Sequence, residues 1–391
     1  MQFPLWILLR FSVVRRSMKF TMCFGNPLYQ QQVETEYAVS HVLHLLGAEV
    51  MQGGYVHYDM VELKYTAVIR TLGTAGAKYQ TLLDSLAAQT IKPEAILVYI
   101  AEGYPLPKET IGIEQYIYVK KGMVAQRALQ YKEVQTDWML FLDDDVYLAP
   151  TSVETLFGQL KEHDADVISP DVFPNAQRSF GELLLMAVPG RMLSRKDDGR
   201  WGYKVMRTAG YSYNAHPVLP TYWSQTNAGP CFLCKKQTFL DIHFEEELWM
   251  DKMPYAMGDD QVMFYKMYLL GKHQLTSYNS GIIHLDAGSA MQSLDKEKSR
   301  ISADLRFKLL FWHRFIYRVD CDTSKCSVFL ALWDILCIGY AMSFTLLISL
   351  LKGQWGMLKL KKDAMTEAVR VINSEAFKSL PKVKRQWIKR I

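Results

Sequence analysis

Hydrophobic and polar positions along the chain follow two periods in turn, which predicts alternating strands and helices. Residues 65–70 and 95–100 are almost continuously apolar, as buried strands are. Between them Tyr79, Leu82, Leu83 and Leu86 recur at helical spacing, so an amphipathic helix is expected to end near Thr90. A strand over 115–119, helices over about 123–134 and 152–163, and a strand over 166–169 continue the alternation. The pattern predicts an α/β fold with a mostly parallel, Rossmann-like sheet flanked by helices.

One apolar strand ends in an unusual group of charges. Residues 138–142 are large and apolar without period-2 alternation, which predicts a strand buried on both faces, and Asp143, Asp144 and Asp145 follow at once. Open parallel sheets bind ligands at the carboxyl ends of their strands. Adjacent carboxylates repel one another unless a cation or a bonded network neutralises them, and Mg²⁺ or Mn²⁺ commonly arrives with a phosphate-bearing substrate. The simpler alternative is a solvated acidic turn after a core strand.

A second acidic pair, Asp259 and Asp260, opens a predicted helix that closes at Gly271. Aspartate at a helix start is first of all a capping residue. Transfer of a sugar from a nucleotide sugar to a hydroxyl, however, needs two separate acidic groups. One group holds a metal that neutralises the departing diphosphate, and another accepts the proton of the acceptor. His284 ends a later apolar run and is either a structural residue or a metal ligand.

Other segments indicate less specific chemistry. Residues 170–225 are predicted to be irregular, and their many aromatic residues argue against disorder and for a functional loop. The six cysteines fit a reducing compartment. Cys231 and Cys234 lack the second ligand pair that a zinc site needs, so they are predicted to be structural residues of a strand. Residues 33–46 are predicted to form a short helix.

Charge and hydropathy point to a membrane surface. The 391-residue chain has a formal net charge of +5, but residues 352–391 alone carry eleven Lys or Arg against three acidic residues. The basic balance therefore belongs to the tail, and no nucleic-acid binding is predicted for the body. Residues 327–351 are apolar with Asp334 as their only charge, which is long enough to span a bilayer. Spanning the membrane and lying on its surface both remain open. Residues 3–14 predict neither a transmembrane helix nor a signal peptide.

Taken together, these motifs resemble the family 2 glycosyltransferases, in particular the membrane-associated bacterial type. The resemblance extends from about residue 65 to 289. It rests on segments 68–71 and 83–90, on 122–127, on the acid-tipped strand 141–145, and on 258–260. It implies a GT-A fold and a nucleotide-diphosphate-sugar donor. Cell-envelope polysaccharide biosynthesis is the implied context.

The resemblance also implies roles for individual residues. The family usually has an Asp pair after its second strand, where this chain has Ile100 and Ala101, so either Glu102 is shifted into that role or the base is recognised otherwise. Asp259 stands where the family usually has Glu. The implied donor-binding residues are Arg70, Thr71, Glu102, Arg127, Asp143 and Asp144; the implied ligands of Mn²⁺ or Mg²⁺ are Asp143, Asp145 and His284; and the implied catalytic pair is Asp260, as general base, with Asp259.

The expected function is that of an inverting, metal-dependent glycosyltransferase at the cytoplasmic face of the cell membrane. It would transfer a sugar to a hydroxyl of a glycan or lipid-linked acceptor, and residues 170–225 would shape the acceptor pocket. The expected division is an N-terminal extension (1–62), a GT-A domain (63–310) and a membrane-associated helical region (311–391). Two alternatives stay open: a sugar nucleotidyltransferase, which would need no acceptor base or membrane segment, and a non-catalytic membrane-associated protein that binds nucleotide sugars.

Overall fold

The computed structural model describes residues 8–14, 17–23, 63–172, 179–255, 257–285, 294–322 and 327–386. The chain divides into two compact units, 1–63 and 64–391. In the first unit, β1 (Leu8–Val14) and β2 (Ser17–Cys23) form an antiparallel pair. The predicted helix over 33–46 lies outside the described residues. The division into three parts at 62 and 310 remains a prediction.

The second unit begins with alternating strands and helices, as the sequence pattern predicted. In chain order its elements up to residue 170 are β3 (Tyr65–Thr71), α1 (Ala77–Ala87), β4 (Ala95–Ala101), β5 (Glu114–Val119), β6 (Trp138–Asp143), β7 (Val146–Leu148), α2 (Ser152–His163) and β8 (Val167–Pro170). The next elements are α3 (Phe180–Ala187), β9 (Met192–Arg195), β10 (Tyr203–Val205), β11 (Tyr211–Asn214), β12 (Thr221–Trp223), β13 (Cys231–Lys235) and α4 (Lys236–Asp241).

The C-terminal half is mainly helical. A 3₁₀ helix (Phe244–Lys252) is followed by α5 (Asp259–Leu269), β14 (Gln274–Ser277), β15 (Ile282–His284) and α6 (Leu294–Phe311). A π-helical segment (Trp312–Tyr317) then leads to α7 (Arg318–Asp322), α8 (Ser327–Leu351), α9 (Trp355–Asn373) and α10 (Glu375–Lys378). Helix α8 has the predicted bounds, and by length and composition it is a candidate membrane span.

Eight strands form the central sheet, in the order β12-β14-β8-β13-β6-β3-β4-β5. Strands β6, β3, β4 and β5 are parallel neighbours, and β14 is parallel to β8. Strand β13 runs antiparallel between β6 and β8, and β12 antiparallel to β14. The carboxyl ends of β3, β4 and β6 therefore meet at one edge, which is where an open α/β sheet presents its ligand site. The predicted mostly parallel α/β fold is confirmed.

Strand β6 shows why its sequence lacks alternation. Met139 and Phe141 pack into the core on one face of the sheet, whereas Leu140 and Leu142 pack on the other face. All four side chains are at most 2% exposed. Because both faces are covered, every position favours an apolar residue. Strand β6 is therefore the two-sided core strand that was predicted.

Two segments differ from the sequence prediction. Residues 123–134 form successive turns rather than a helix, and the backbone N–H groups of Val124 and Ala125 donate to the Asp251 carboxylate. Tyr131 adopts a positive φ of 46°, which interrupts any helical continuation. The stretch 170–225 is not wholly irregular, since it contains α3 and the small sheet of β9, β10 and β11. Short, partly exposed strands give too little periodicity to be recognised in a sequence.

The two cysteines of β13 are structural, as predicted. Cys231 and Cys234 are buried and free, and they pair in register with β6 residues. Burial raises the pKa of both thiols well above the ordinary value. Neutral thiols in a dry core act as small apolar side chains, not as metal ligands or nucleophiles.

Candidate active site

Acidic residues collect where β6 leaves the sheet. Asp143 is the last residue of β6, and Asp144 and Asp145 form the turn to β7. Strand β15 pairs antiparallel with β7 and places His284 opposite Val146. As a result, His284 Nε2 lies 3.1 Å from Asp145 Oδ2. The structure thus joins two of the predicted metal ligands, although they are 139 positions apart in the chain.

These residues line an open cleft of about 620 Å³. That volume lies within the range of about 300–1,000 Å³ found for small-molecule sites. The cleft lies beyond the carboxyl ends of β3 and β6, as the predicted topology requires. Its lining residues are Arg70, Thr71, Leu72, Thr74, Ala75, Lys78, Lys121, Gly122, Met123, Gln126, Asp143, Asp144, Asp145 and His284.

Two residues at the end of β3 hold two of the three aspartates. Arg70 lies beside Asp143 in the β3–β6 register, and its Nε and Nη2 donate to the two carboxylate oxygens at 3.1 Å each. This two-point pairing fixes the carboxylate in one orientation. The Thr71 hydroxyl donates to Asp144 Oδ2 and also accepts from Gly73 N at 2.8 Å. Burial, together with the charges of Asp145 and Asp143, raises the pKa of Asp144 above its ordinary value.

Arg127 links the two acidic sites. Its side chain is only 3% exposed, and it donates from Nη2 to Asp143 Oδ1 at 3.2 Å. From Nη1 it donates to Asp259 Oδ2 at 3.0 Å and to Asp260 Oδ1 at 2.6 Å. Burial would lower the pKa of Arg127, but the carboxylates of Asp143, Asp260 and Asp259 outweigh it and raise the pKa. Arg127 thus lies behind the cleft wall and bridges the two acidic sites, and its role in donor binding stays a prediction.

The acid pair occupies the first turn of α5. Gly258, with φ of 86°, precedes the helix, and neither aspartate acts as its capping side chain. Asp259 is 8% exposed and Asp260 is 34% exposed. Burial, and then the nearby Asp260 charge, raise the pKa of Asp259 to about 6, against the lowering effect of Arg127 and Arg70. Asp260 is the member of the pair that can reach a solvent-borne group.

A close backbone approach holds Asp260 in place. Gly229 N donates to Asp260 Oδ2 at 3.1 Å, while Gly229 O accepts from Arg127 Nη2 at 2.7 Å. A Cβ at position 229 would lie 1.9 Å from Asp260 Oδ1, so any larger residue there would displace the carboxylate. Sequence reasoning did not identify Gly229, because the contact joins residues 31 positions apart on different elements.

The sequence prediction also missed three polar residues around the cleft. Lys78, in the first turn of α1, and Lys121, just after β5, line the cleft and add positive charge. Lys121 Nζ donates to the Tyr104 hydroxyl at 2.5 Å. Asp251 holds the cleft wall through the amides of Val124 and Ala125, at 2.9 and 2.8 Å. The only sequence signal was the position of both lysines in loops that follow predicted strands.

One predicted donor residue lies elsewhere. Glu102 is exposed in the turn after β4 and does not line the cleft. Its backbone N–H donates to Val119 O at 2.8 Å, which ties this turn to the end of β5. The structure therefore gives no support to Glu102 as a shifted substitute for the family's Asp pair.

The oxygen and nitrogen atoms that the cleft offers as ligands suit a divalent cation that a substrate phosphate also binds. In the described part of the chain no three His, Cys, Asp or Glu side chains converge as a ready-made metal cage. Asp145 and His284 nevertheless offer a carboxylate oxygen and an imidazole nitrogen side by side at the cleft wall. Mg²⁺ is typically bound through one or two carboxylates plus substrate phosphates. Asp143 is engaged by Arg70 and Arg127, so its role as a third ligand stays a prediction.

Comparison with models of protein families gives a match. The family model described as "Glycosyl transferase family 2" matches residues 115–216. This range includes Arg127 and the acidic end of β6, but neither Arg70, the acid pair of α5 nor His284. No curated protein matches the chain. The matched segment lies in a mostly parallel sheet whose strand ends form an acidic cleft, and the match confirms the predicted resemblance to the family 2 glycosyltransferases, whose members use nucleotide sugars.

Proposed function

We propose that this glycosyltransferase is an inverting, metal-dependent enzyme that acts on a hydroxyl of a glycan or lipid-linked acceptor. The observation that carries the proposal is the bridge by Arg127 between Asp143, at the cleft, and Asp260, on α5. A single displacement needs a leaving-group site and a base held in fixed relation. One buried guanidinium bonded to both carboxylates supplies that relation.

The donor diphosphate would lie in the cleft. Lys78, Lys121 and Arg70 contribute cationic groups to its lining. Mn²⁺ or Mg²⁺, held by Asp145 and His284 with Asp143 as the further expected ligand, would supply the charge that stabilises the departing diphosphate. Thr71 keeps Asp144 bonded, which limits repulsion within the aspartate run.

Asp260 would act as the general base. As the acceptor oxygen attacks the anomeric carbon, its proton passes to the Asp260 carboxylate. The bond from that carbon to the diphosphate oxygen breaks, and the electron pair leaves with the nucleoside diphosphate. Attack from the face opposite the leaving group inverts the anomeric configuration. Asp259, more deeply buried, would keep Asp260 and Arg127 in position.

Donor binding is tested by thermal shift with a panel of UDP-, GDP- and dTDP-sugars, each with and without Mn²⁺. At a hundredfold excess over Kd a bound donor should add about 2.7 kcal/mol of stability. We expect a Mn²⁺-dependent shift with one nucleotide class that is lost in Asp145→Ala. Asp84→Ala, which removes an exposed carboxylate from α1, is the matched control and should keep the shift. A shift that survives Asp145→Ala would remove this residue from the metal site.

The base is tested by Asp260→Asn. Loss of a general base commonly lowers turnover by about 10²–10⁴-fold. We expect release of nucleoside diphosphate to fall in that range while the donor-induced thermal shift persists. Near-normal turnover with donor bound would show that another group takes the proton. The stereochemistry of the product, read by NMR of the new anomeric proton, tests inversion directly.

The proposed location is the cytoplasmic face of the cell membrane. It is supported by the apolar helix α8 and by the basic residues that follow it. Juxtamembrane Lys and Arg contribute about 1 kcal/mol each at an anionic leaflet. After cell lysis the protein is expected to sediment with the membranes, and recovery in the soluble fraction at all salt concentrations would contradict this location.

A further inference from the structure

Helix α8 is divided into a narrow stripe that packs on the protein and a broad apolar surface that does not. The buried stripe consists of Asp334, Ile338, Ala341, Thr345 and Ser349, each at most 7% exposed. Their successive spacing of four, three, four and four residues defines one helix face. Only 28% of the apolar window of this helix is buried, so α8 is not a core helix of the body.

Charged groups of the body contact the buried stripe along most of its length. Arg207, from the turn after β10, forms an ion pair with Asp334, and Trp312 Nε1 donates to Asp334 O at 3.2 Å. Further along, Lys361 Nζ donates to Thr345 O at 3.2 Å and to Ser349 Oγ at 2.8 Å. These contacts join α8 both to the sheet domain and to α9.

The spacing of these contacts conflicts with a helix that crosses a bilayer. Asp334 and Ser349 are separated by 15 residues, or about 22 Å along a helix axis. The hydrocarbon core is only about 30 Å thick. The two contacts of a spanning α8 could not both lie outside the hydrocarbon, so at least one of Arg207 and Lys361 would be drawn into it or would lose its contact. A helix that lies along the surface keeps them in the protein and out of the lipid.

The opposite face has the character of a membrane surface contact. Phe329, Trp333 and Leu336 are 78%, 56% and 63% exposed on it. Tyr340 and Trp355 add amphipathic rings of the kind that settle at headgroup depth. The exposed residues Lys352, Lys359 and Lys362 follow directly and complement anionic headgroups.

A second exposed apolar element is joined to the C-terminal helices by an ion pair. Helix α3 has no buried residue, and its Phe180 and Leu184 are 81% and 50% exposed. Arg191, shortly after α3, forms an ion pair with Asp304 at 3.0 Å. Burial, and then the charge of Arg191, lower the pKa of Lys361, which places the end of this segment near α9. Helix α3 belongs to the 170–225 segment, which was expected to shape the acceptor pocket.

We propose that α8 lies in the plane of an anionic bilayer surface, held to the enzyme by Arg207 and Lys361, with its outer face and α3 immersed in the lipid. The protein is then anchored on one leaflet without crossing it. This inference rests on the proposed membrane location and specifies its mode. It also places the acceptor side of the enzyme against the lipid surface, which suits a lipid-linked acceptor.

Flotation of the purified full-length protein with phosphatidylcholine vesicles, with and without phosphatidylglycerol, tests the contact face. Leu336→Glu should weaken binding at least tenfold, because one buried leucine changes affinity by roughly that factor. Ile113→Glu is the matched control: Ile113 is also 63% exposed, lies before β5 and should leave flotation unchanged. Unaltered flotation of Leu336→Glu would overturn the assigned face. Absence of wild-type flotation would overturn the membrane location itself, while donor thermal shifts would be unaffected.

Site-directed labelling separates the two membrane modes. Val328→Cys and Leu351→Cys mark the ends of α8, at 68% and 77% exposure, in a background whose accessible native cysteines are replaced by serine. Added to preformed vesicles, both positions should react with a membrane-impermeant maleimide from the same, outer side. Protection of one end until the vesicles are lysed would mean that α8 crosses the bilayer, and would overturn the surface mode.

Discussion

Substitution Gly229→Ala directly tests whether the position of Asp260 controls turnover. A methyl group at this position would lie 1.9 Å from Asp260 Oδ1 and 2.2 Å from Cγ. Real Cβ contacts are longer than 3.0 Å, so the carboxylate has to move by more than 1 Å. The φ of Gly229 is not in the left-handed region, so alanine adds no backbone strain there. The substitution therefore acts through the side chain it displaces.

The displacement breaks two identified hydrogen bonds. Asp260 would lose its 2.6 Å bond from Arg127 and its 3.1 Å bond from Gly229 N. Asp260 is one-third exposed and can turn to water, so the free energy of unfolding should fall by only about 1–3 kcal/mol. A reacting group misplaced by about 1 Å, in contrast, commonly lowers the rate by about 10²-fold.

The assay compares turnover, as release of nucleoside diphosphate, with thermal stability and donor-induced shift. Gly229→Ala is expected to lose about a hundredfold in kcat while it still folds and binds donor. Gly158→Ala, in the middle of α2 with no atom within 4 Å of the new Cβ, is the matched control. It should leave turnover unchanged and be slightly more stable. If Gly229→Ala turned over within threefold of wild type, Asp260 would not be the positioned base.

Three further predictions concern charged groups around the site. Because burial and then the nearby Asp260 charge raise the pKa of Asp259 above its ordinary value, the folded state holds this proton to a higher pH than the unfolded chain, and the free energy of unfolding should fall as pH rises from 4 to 7. Asp259→Asn should lack that fall in urea titrations between pH 4 and pH 7, and an equal fall in both proteins would contradict the assignment. Asp251→Ala leaves two backbone amides of the cleft wall without their hydrogen-bond acceptor, so it should raise KM for the donor more than it lowers kcat. Asp251→Asn should partly restore KM. Glu247→Gln should lower the free energy of unfolding by about 3–5 kcal/mol, because it leaves Lys266 and Arg314 buried without their shared carboxylate; a loss below 1 kcal/mol in urea unfolding would refute this.

The elements that sequence predicted well are those whose periodicity is imposed by the core. The predicted face of α1, from Tyr79 to Leu86, is buried, because a helix against a sheet needs one continuous apolar stripe. Strand β6 was predicted with nearly the observed bounds because both of its faces are buried, and helix α8 because its apolar run is continuous except for Asp334. Where the backbone turns instead, prediction failed. The 123–134 segment has helix-forming composition, but Tyr131 adopts a positive φ that a helix does not contain.

In the candidate site, too, some residues could be predicted from the local sequence and others could not. Acidic residues after β6 and at the start of α5 could be identified, because carboxylates at strand ends and helix starts are visible locally. Other residues of the site could not, since Lys78, Lys121 and Gly229 reach it only through the tertiary fold. Glu102 shows the converse failure. It stands at the right distance from β4 in sequence, yet the turn carries its side chain into solvent.

The position of Arg127 follows from electrostatics and not from hydrophobic periodicity. Buried carboxylates are unstable without a counter-cation, so the acid pair of α5 and the end of β6 each required one. Arg127 bonds both acidic sites at once, Asp143 across 16 positions and Asp260 across 133, and Arg70 pairs with Asp143 beside it. Because a guanidinium is planar and rigid, a shift of either carboxylate is transmitted to the other. Arg127→Lys should therefore keep the charge but lose the simultaneous contacts, and lower kcat more than it lowers donor affinity. Thermal shift with the donor, measured beside turnover, separates the two effects, and a selective loss of donor binding would place Arg127 at the diphosphate instead.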